Sequence, residues 1–306
     1  VTPQRSLLTK EGTMLVDLVK VETRDRVRLD GILGKPAGST KSQLGVDIVI
    51  LHHGVTGNFY GPGMFAEYSD SLREQGCAVL RVNNRGHDPI SQVREEEEPV
   101  RYGAAYEIVD DCRHDWEAWV TFAESMGYKR IGLWGHSLGA VKSIYYMAVQ
   151  PDTRVTCVVA SSPPRFSYSA YLAMEEGNAF KQQEELAQGL IREGKPDALM
   201  EADYPRRNLF TAKVFVDKYG PEERYNILKH IPKVNVPILV TIGGAEGLVT
   251  GQGNSKIGFT GLAKEVQQLE ENMANLTLQI IPDADHSYTH QRKYAWDTIS
   301  SWLKEV

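Results

Sequence analysis

Cysteine is scarce in this chain: three residues, Cys77, Cys112 and Cys157, among 306. They form no C-x-x-C pair and show no zinc spacing. Cys77 and Cys157 sit in apolar, strand-like runs. Buried free thiols, rather than a disulfide framework, are the expectation, and a reducing cytoplasm fits it. Blocks of positive charge are also lacking. The net charge of −6 argues against a nucleic-acid surface and against an anionic membrane as partner. No apolar run approaches the ~20 residues that a membrane helix needs. The first 30 residues lack the basic-then-apolar shape of a signal peptide, although a leader could have preceded Val1. Low-complexity linkers and internal repeats are missing as well.

What is present is the composition of an ordinary globular protein, 42% hydrophobic and 24% charged, long enough to bury a large core without disulfides or metals. Two alternating segments, Leu15–Thr23 and Arg26–Gly34, read as a half-exposed antiparallel pair. Four compact apolar runs follow: Asp47–Leu51, Cys77–Val82, Arg130–Trp134 and Val155–Ala160. Each is short, β-branched and followed by a turn, as strands covered on both faces are. Helical patterns over Gly63–Gln75, Ile108–Met126 and Leu138–Val149 separate them. Strands alternating with helices imply right-handed crossovers and a mostly parallel sheet.

After Ser162 the alternation stops for about 70 residues. The segment Arg165–His230 reads as helical and charged, yet holds nine of the 22 Phe and Tyr residues. Strand grammar returns at Val236–Ile242 and Leu276–Ile281, with helices over Gly261–Met273 and Gln291–Lys304. One domain spanning 1–306 with an inserted helical cap at 165–230 is the expected organisation. The acidic run Glu95–Glu98 reads as a solvated loop face.

The chemistry concentrates at Gly135-His136-Ser137-Leu138-Gly139, which directly follows one strand-like run and directly precedes a helical one. That context gives a G-x-S-x-G match its value, because a sharp strand-to-helix turn lifts the serine hydroxyl above the sheet. The following helix presents its positive end to a developing anion. A serine hydroxyl needs a neighbouring base. His286 follows the last expected strand, in a loop at the C-terminal edge of a parallel sheet, where such folds gather their chemistry. His290 falls at the start of the final helix and His114 within a helix, while His87, in a loop after a strand, stays open by position alone. The acid that orients the base is expected between serine and histidine. Glu246 is the only carboxylate in the loop right after the Val236–Ile242 strand; Asp283 and Asp285 remain alternatives close to His286. The loop His52-His53-Gly54-Val55 suggests an oxyanion hole built from the N–H groups of Val55 and Leu138. His52 and His53 have no third histidine or suitably spaced carboxylate to make a metal site with, so a role in holding that loop is preferred.

Together these motifs resemble the α/β-hydrolase superfamily, over essentially the whole chain. His53-Gly54, Asn84-Arg85-Gly86-His87, the Gly135–Gly139 elbow, Glu246 and His286 fall in that family's order. The resemblance implies an eight-stranded, mostly parallel sheet flanked by helices, with a cap after the sixth strand. It implies a Ser137–Glu246–His286 triad, with glutamate where aspartate is commoner. Within the family the chain looks most like the capped esterases. The expectation is therefore a serine hydrolase of a small carboxylic ester, with no cofactor and no metal. An amidase, thioesterase or C–C hydrolase using the same triad is an alternative, and a small-molecule receptor on this fold is another. A homo-oligomer stays open. Phe166, Tyr168 and Tyr171, nearest the sixth strand's end, are the expected substrate contacts, and they favour aromatic or apolar acyl groups over charged ones.

Overall fold

The computed structural model describes residues 16–36, 41–94, 99–247 and 258–306. The Glu95–Glu98 run and Leu15 lie outside the described residues. The chain opens with the expected antiparallel pair, β1 (Asp17–Glu22) and β2 (Arg28–Gly34). Next come β3 (Ile48–His52), α1 (Met64–Glu74) and β4 (Ala78–Val82). A short hairpin, β5 (Ser91–Arg94) and β6 (Pro99–Tyr102), precedes α2 (Cys112–Ser125). The pattern then resumes with β7 (Ile131–His136), α3 (Leu138–Val149) and β8 (Val155–Ser161).

An insertion follows β8. It contains α4 (Tyr168–Leu172), α5 (Gly177–Arg192), a hairpin of β9 (Leu199–Ala202) and β10 (Asn208–Thr211), α6 (Ala212–Tyr219) and α7 (Ile227–His230). Helices dominate it as expected, but the hairpin was not. Its strands are four residues each, too short for an alternating pattern to stand out. The chain closes with β11 (Ile238–Gly243), α8 (Leu262–Glu270), β12 (Leu276–Ile281) and α9 (Arg292–Glu305).

Eight of the strands form one sheet in the order β1-β2-β4-β3-β7-β8-β11-β12. From β4 to β12 all neighbours are parallel, while β2 meets β4 antiparallel. Strand alternation sends side chains to two separate cores. In β3, Ile48 and Ile50 join the core beneath α2 and α3, where Trp116 and Trp119 are fully buried. Val49 and Leu51 join the opposite one, built with Tyr68 and Leu72 of α1 and Ile299 and Leu303 of α9. Covering both faces is why these strands read as continuous apolar runs and not as alternating ones. It also brings the C-terminal ends of β3, β7, β11 and β12 to one edge, where the loops carrying Val55, Ser137, Glu246 and His286 begin. The three cysteines are buried and unpaired. No helix among the described residues is long and apolar enough to cross a membrane.

Candidate active site

At the end of β7 the backbone turns within a single residue. Ser137 has φ 55° and ψ −122°, between strand and helix. Its N–H donates to the Ser161 carbonyl of β8 at 2.8 Å, while its own carbonyl accepts from Ala140 and Val141 in the first turn of α3. Such a conformation strains a non-glycine residue and persists only where the surroundings hold it. Here the flanking glycines make it possible. A Cβ on Gly139 would stand 2.2 Å from the His52 carbonyl oxygen, and one on Gly135 would stand 2.2 Å from the Gly139 carbonyl. Both glycines are required by close backbone approach, in which any side chain would collide.

Glu246, three residues past the end of β11, has a fully buried carboxylate. Oε1 meets His286 Nδ1 at 2.5 Å. Oε2 accepts from Ser162 Oγ and from the Gly243 N–H, each at 2.7 Å. Ser162 Oγ also meets the buried Tyr288 hydroxyl, which in turn reaches Thr241. The carboxylate is thus held from behind by a buried hydroxyl chain while its free edge faces the imidazole. The rival acids are placed otherwise. Asp285 accepts from the Ser287 and Thr289 N–H groups, and Asp283 is exposed.

The His286 loop is fixed from a second direction. His136 Nε2 donates to the His286 carbonyl at 2.7 Å, and burial drives the His136 imidazole down to about 3, keeping it a neutral donor. Phe259 packs edge-on against the His286 ring at 5.4 Å. His87, the rival left open by position, is turned to Asp88 and Ser91. Neither it nor His114 nor His290 lines a cavity that Ser137 lines.

Two cavities meet at Ser137. One of about 200 Å³ has Val55, Ser137, Leu138 and His286 for its floor. The other, about 510 Å³, shares Val55, Ser137 and His286 and extends past Gly54 towards α1. No hydrogen bond joins Ser137 Oγ to the His286 ring among the described residues; the two stand on one cavity floor. Val55 and Leu138 flank the serine there, and neither N–H is given to another acceptor among the described residues, as the first amides of a helix such as Leu138 are not. The Val55 loop is held by His53, whose Nδ1 meets the Gly54 carbonyl at 2.7 Å and whose Nε2 faces the Asn84 N–H. Burial pushes His53 down to about 3, so it works as a neutral bridge. His52 stacks on Trp116 at 4.5 Å.

The insertion walls the smaller cavity with Phe166, Tyr171 and Tyr219. Tyr168, also expected there, lines neither cavity: its ring packs on Phe180 at 5.4 Å, the same ring that Tyr171 meets at 5.3 Å. The wall is also less apolar than expected. Lys218 stands in it, and Arg206, from the turn between β9 and β10, lines both cavities. The signal for Lys218 was present. It falls four residues after Val214 and three after Phe215, on the face that α6 buries. Beneath the floor, Lys142 of α3 and Glu107 form a buried ion pair that also takes in Asn84. Burial alone would raise the Glu107 carboxyl, but the Lys142 ammonium, with Lys218 further off, holds it below the ordinary range.

A sequence model described as the alpha/beta hydrolase family matches residues 48–295. No curated protein matches the chain. Solved structures resemble it in fold at low identity. Est1E from Butyrivibrio proteoclasticus is 17% identical, with 94% of this chain and 98% of that one covered and a TM-score of 0.61. The Pyrococcus furiosus esterase Pf2001 is 19% identical, covering 95% and 91%, with a TM-score of 0.63. The alpha/beta hydrolase GrgF from Penicillium sp. sh18 is 14% identical, covering 95% and 99%, with a TM-score of 0.67.

Proposed function

The chain belongs to the alpha/beta hydrolase family, and from that premise we propose that it hydrolyses a carboxylic ester through an acyl-enzyme on Ser137. The observation that carries the reading is His286 Nδ1 held at 2.5 Å from the buried Glu246 carboxylate, on the floor that Ser137 shares. Glu246 keeps the imidazole in the tautomer whose Nε2 is free to take a proton, and it stabilises the imidazolium once formed. Ser137 Oγ attacks the ester carbonyl as His286 accepts its proton. The carbonyl oxygen becomes an oxyanion that the Val55 and Leu138 N–H groups receive, each such donor being worth about 3–4 kcal/mol. Collapse breaks the bond to the leaving oxygen, and His286 returns the proton to it. A water then follows the same route, giving up its proton to His286 and releasing the acid. Esterases among the structural neighbours are in keeping with this reading.

The 165–230 insertion acts as the cap in this proposal, closing a cavity of about 200 Å³ over the serine. Phe166, Tyr171 and Tyr219 suit a small substrate with an apolar or aromatic body. Rapid mixing with a 4-nitrophenyl ester tests the reading. It predicts a burst of 4-nitrophenol followed by a steady rate, with the acyl mass found on the peptide bearing Ser137. A steady rate without a Ser137 adduct under any quench would reject the acyl-enzyme.

A further inference from the structure

Lys218 is 2% exposed, yet its Nζ has no hydrogen-bond partner. Nζ lies over the face of the Phe210 ring, 5.1 Å from its centroid, and the side chain stands in the wall of the smaller cavity. A buried ammonium left unpaired is costly, and folds seldom keep one without a counter-charge. Glu107 favours the Lys218 charge, but its Oε1 is paired with Lys142 and its Oε2, itself without a hydrogen-bond partner, is not bonded to Nζ. Asp217, the neighbour of Lys218 on α6, is bound to Tyr225 and Arg224. A second cation faces the same space: Arg206 lines both cavities and makes no ion pair among the described residues. The smaller cavity is therefore walled mainly by apolar side chains, with two cations and, among the described residues, no carboxylate in its lining.

We propose that Lys218, assisted by Arg206, is an anion subsite, and that the ester this chain cleaves carries a carboxylate on the portion seated between Phe166, Tyr171 and Tyr219. The inference rests on the ester-hydrolase reading for the word ester, but the subsite is defined by its own residues. A carboxylate there would supply the acceptor that Nζ lacks, and in a dry, apolar surround such a charge-assisted bond is stronger than in water. Burial brings Lys218 down to about 8, with Glu107 and Asp217 opposing the fall and Lys142 and Arg206 adding to it, so at pH 7 the ammonium persists. The same arrangement discriminates against neutral esters, because they leave the ammonium unsatisfied.

Binding to the Ser137→Ala protein tests this without turnover. In one arm, calorimetry compares 4-nitrophenyl hydrogen glutarate with its neutral isostere, 4-nitrophenyl 5-methylhexanoate. The other arm places the charge on the alcohol, comparing the butanoate of 4-hydroxybenzoate with that of 4-isopropylphenol. One arm should show the carboxylate bound about tenfold or more tightly at pH 7, and Lys218→Met on the same background should erase that difference. With Lys218 intact, the preference should also fade as pH rises from 7 to 10, a measurement that does not depend on how the variant folds. Equal affinities in both arms, or a preference that survives Lys218→Met, would overturn the subsite. A preference for the carboxylate with no hydrolysis of either ester by the unmutated protein would keep the subsite and reject the ester-hydrolase reading.

Discussion

Ser162 Oγ donates to Glu246 Oε2 at 2.7 Å, on the carboxylate oxygen that His286 leaves free. Ser162 follows the last residue of β8 and takes φ 48°, a conformation that turns its hydroxyl under the β11 loop. Ser162 is buried and lines neither cavity, so under the proposed mechanism it is a positioning residue that holds Glu246. Ser162→Ala should leave the Gly243 N–H as the remaining support for Oε2. We expect kcat to fall about five- to tenfold, in line with one lost hydrogen bond to a charged group, with KM within about twofold. Unchanged kcat in steady-state kinetics would remove Ser162 from the account.

Glu246→Gln should be far more severe. The amide can still accept from Gly243 but carries no charge to stabilise the imidazolium, and a rate loss of up to about 10⁴-fold follows by analogy with the Asp of a triad. Asp285→Asn and Asp283→Asn should stay within about threefold of the parent, because Asp285 is spent on its own turn and Asp283 is exposed. A reversal of that order would move the acid into the His286 loop.

The elbow makes a prediction about stability. Gly139→Ala puts a methyl group 2.2 Å from a carbonyl oxygen that belongs to β3, not to a movable side chain. Overpacking of this kind costs about 1–3 kcal/mol or more, so the melting temperature should drop by several degrees and activity should fall with it. An unchanged melting curve would mean that the β3–α3 contact is looser than described.

Much of this was legible beforehand, for identifiable reasons. Strands buried on both faces leave dense apolar runs, so β3, β4, β7, β8 and β11 begin and end within about two residues of where those runs do. The edge strand β12, exposed at Gln279 and Ile280, matches its run as well. The expected Leu138–Val149 helix is α3 itself, because the elbow starts it abruptly. The β9–β10 hairpin escaped notice since two four-residue strands around Tyr204-Pro205-Arg206-Arg207 carry no period. Lys218 and Arg206 escaped for a different reason. The α6 spacing sets Lys218 on the buried face with Val214 and Phe215, but its place beside Asp217 masked that signal. Arg206 lies in a turn with no period, so only the tertiary packing shows that both reach the cavity wall. Tyr168 and Tyr171 could not be told apart by composition or spacing, since three residues apart on one short helix they share a face and both meet Phe180; only Tyr171 also reaches Tyr219 and the cavity.

Acid should destabilise the fold before its carboxylates titrate. His52 is fully buried and His53 nearly so, and burial depresses both, His53 from 6.5 to about 3 and His52 well below its ordinary value. Their folded values lie below those of the unfolded chain, so the unfolded state binds more protons across the interval. Stability is therefore complete above pH 6.5 and is lost as pH falls towards the folded values, at up to about 1.4 kcal/mol per histidine per pH unit. Unfolded carboxylates titrate near pH 4, so the decline between pH 6.5 and 5 belongs to the histidines. Urea unfolding at half-unit steps would record it, and a flat midpoint over that range would contradict it.

The central claim is that Ser137 is the nucleophile, and the most direct measurement pairs 4-nitrophenyl ester turnover with melting temperature for Ser137→Ala. Alanine fits where the serine stood and relieves nothing in the elbow, so the melting temperature should move by no more than about 2 °C. Turnover should fall by about 10⁴-fold or more, leaving only what binding and the oxyanion hole supply. Ester turnover near the parent rate, in a protein that melts as the parent does, would contradict the assignment outright.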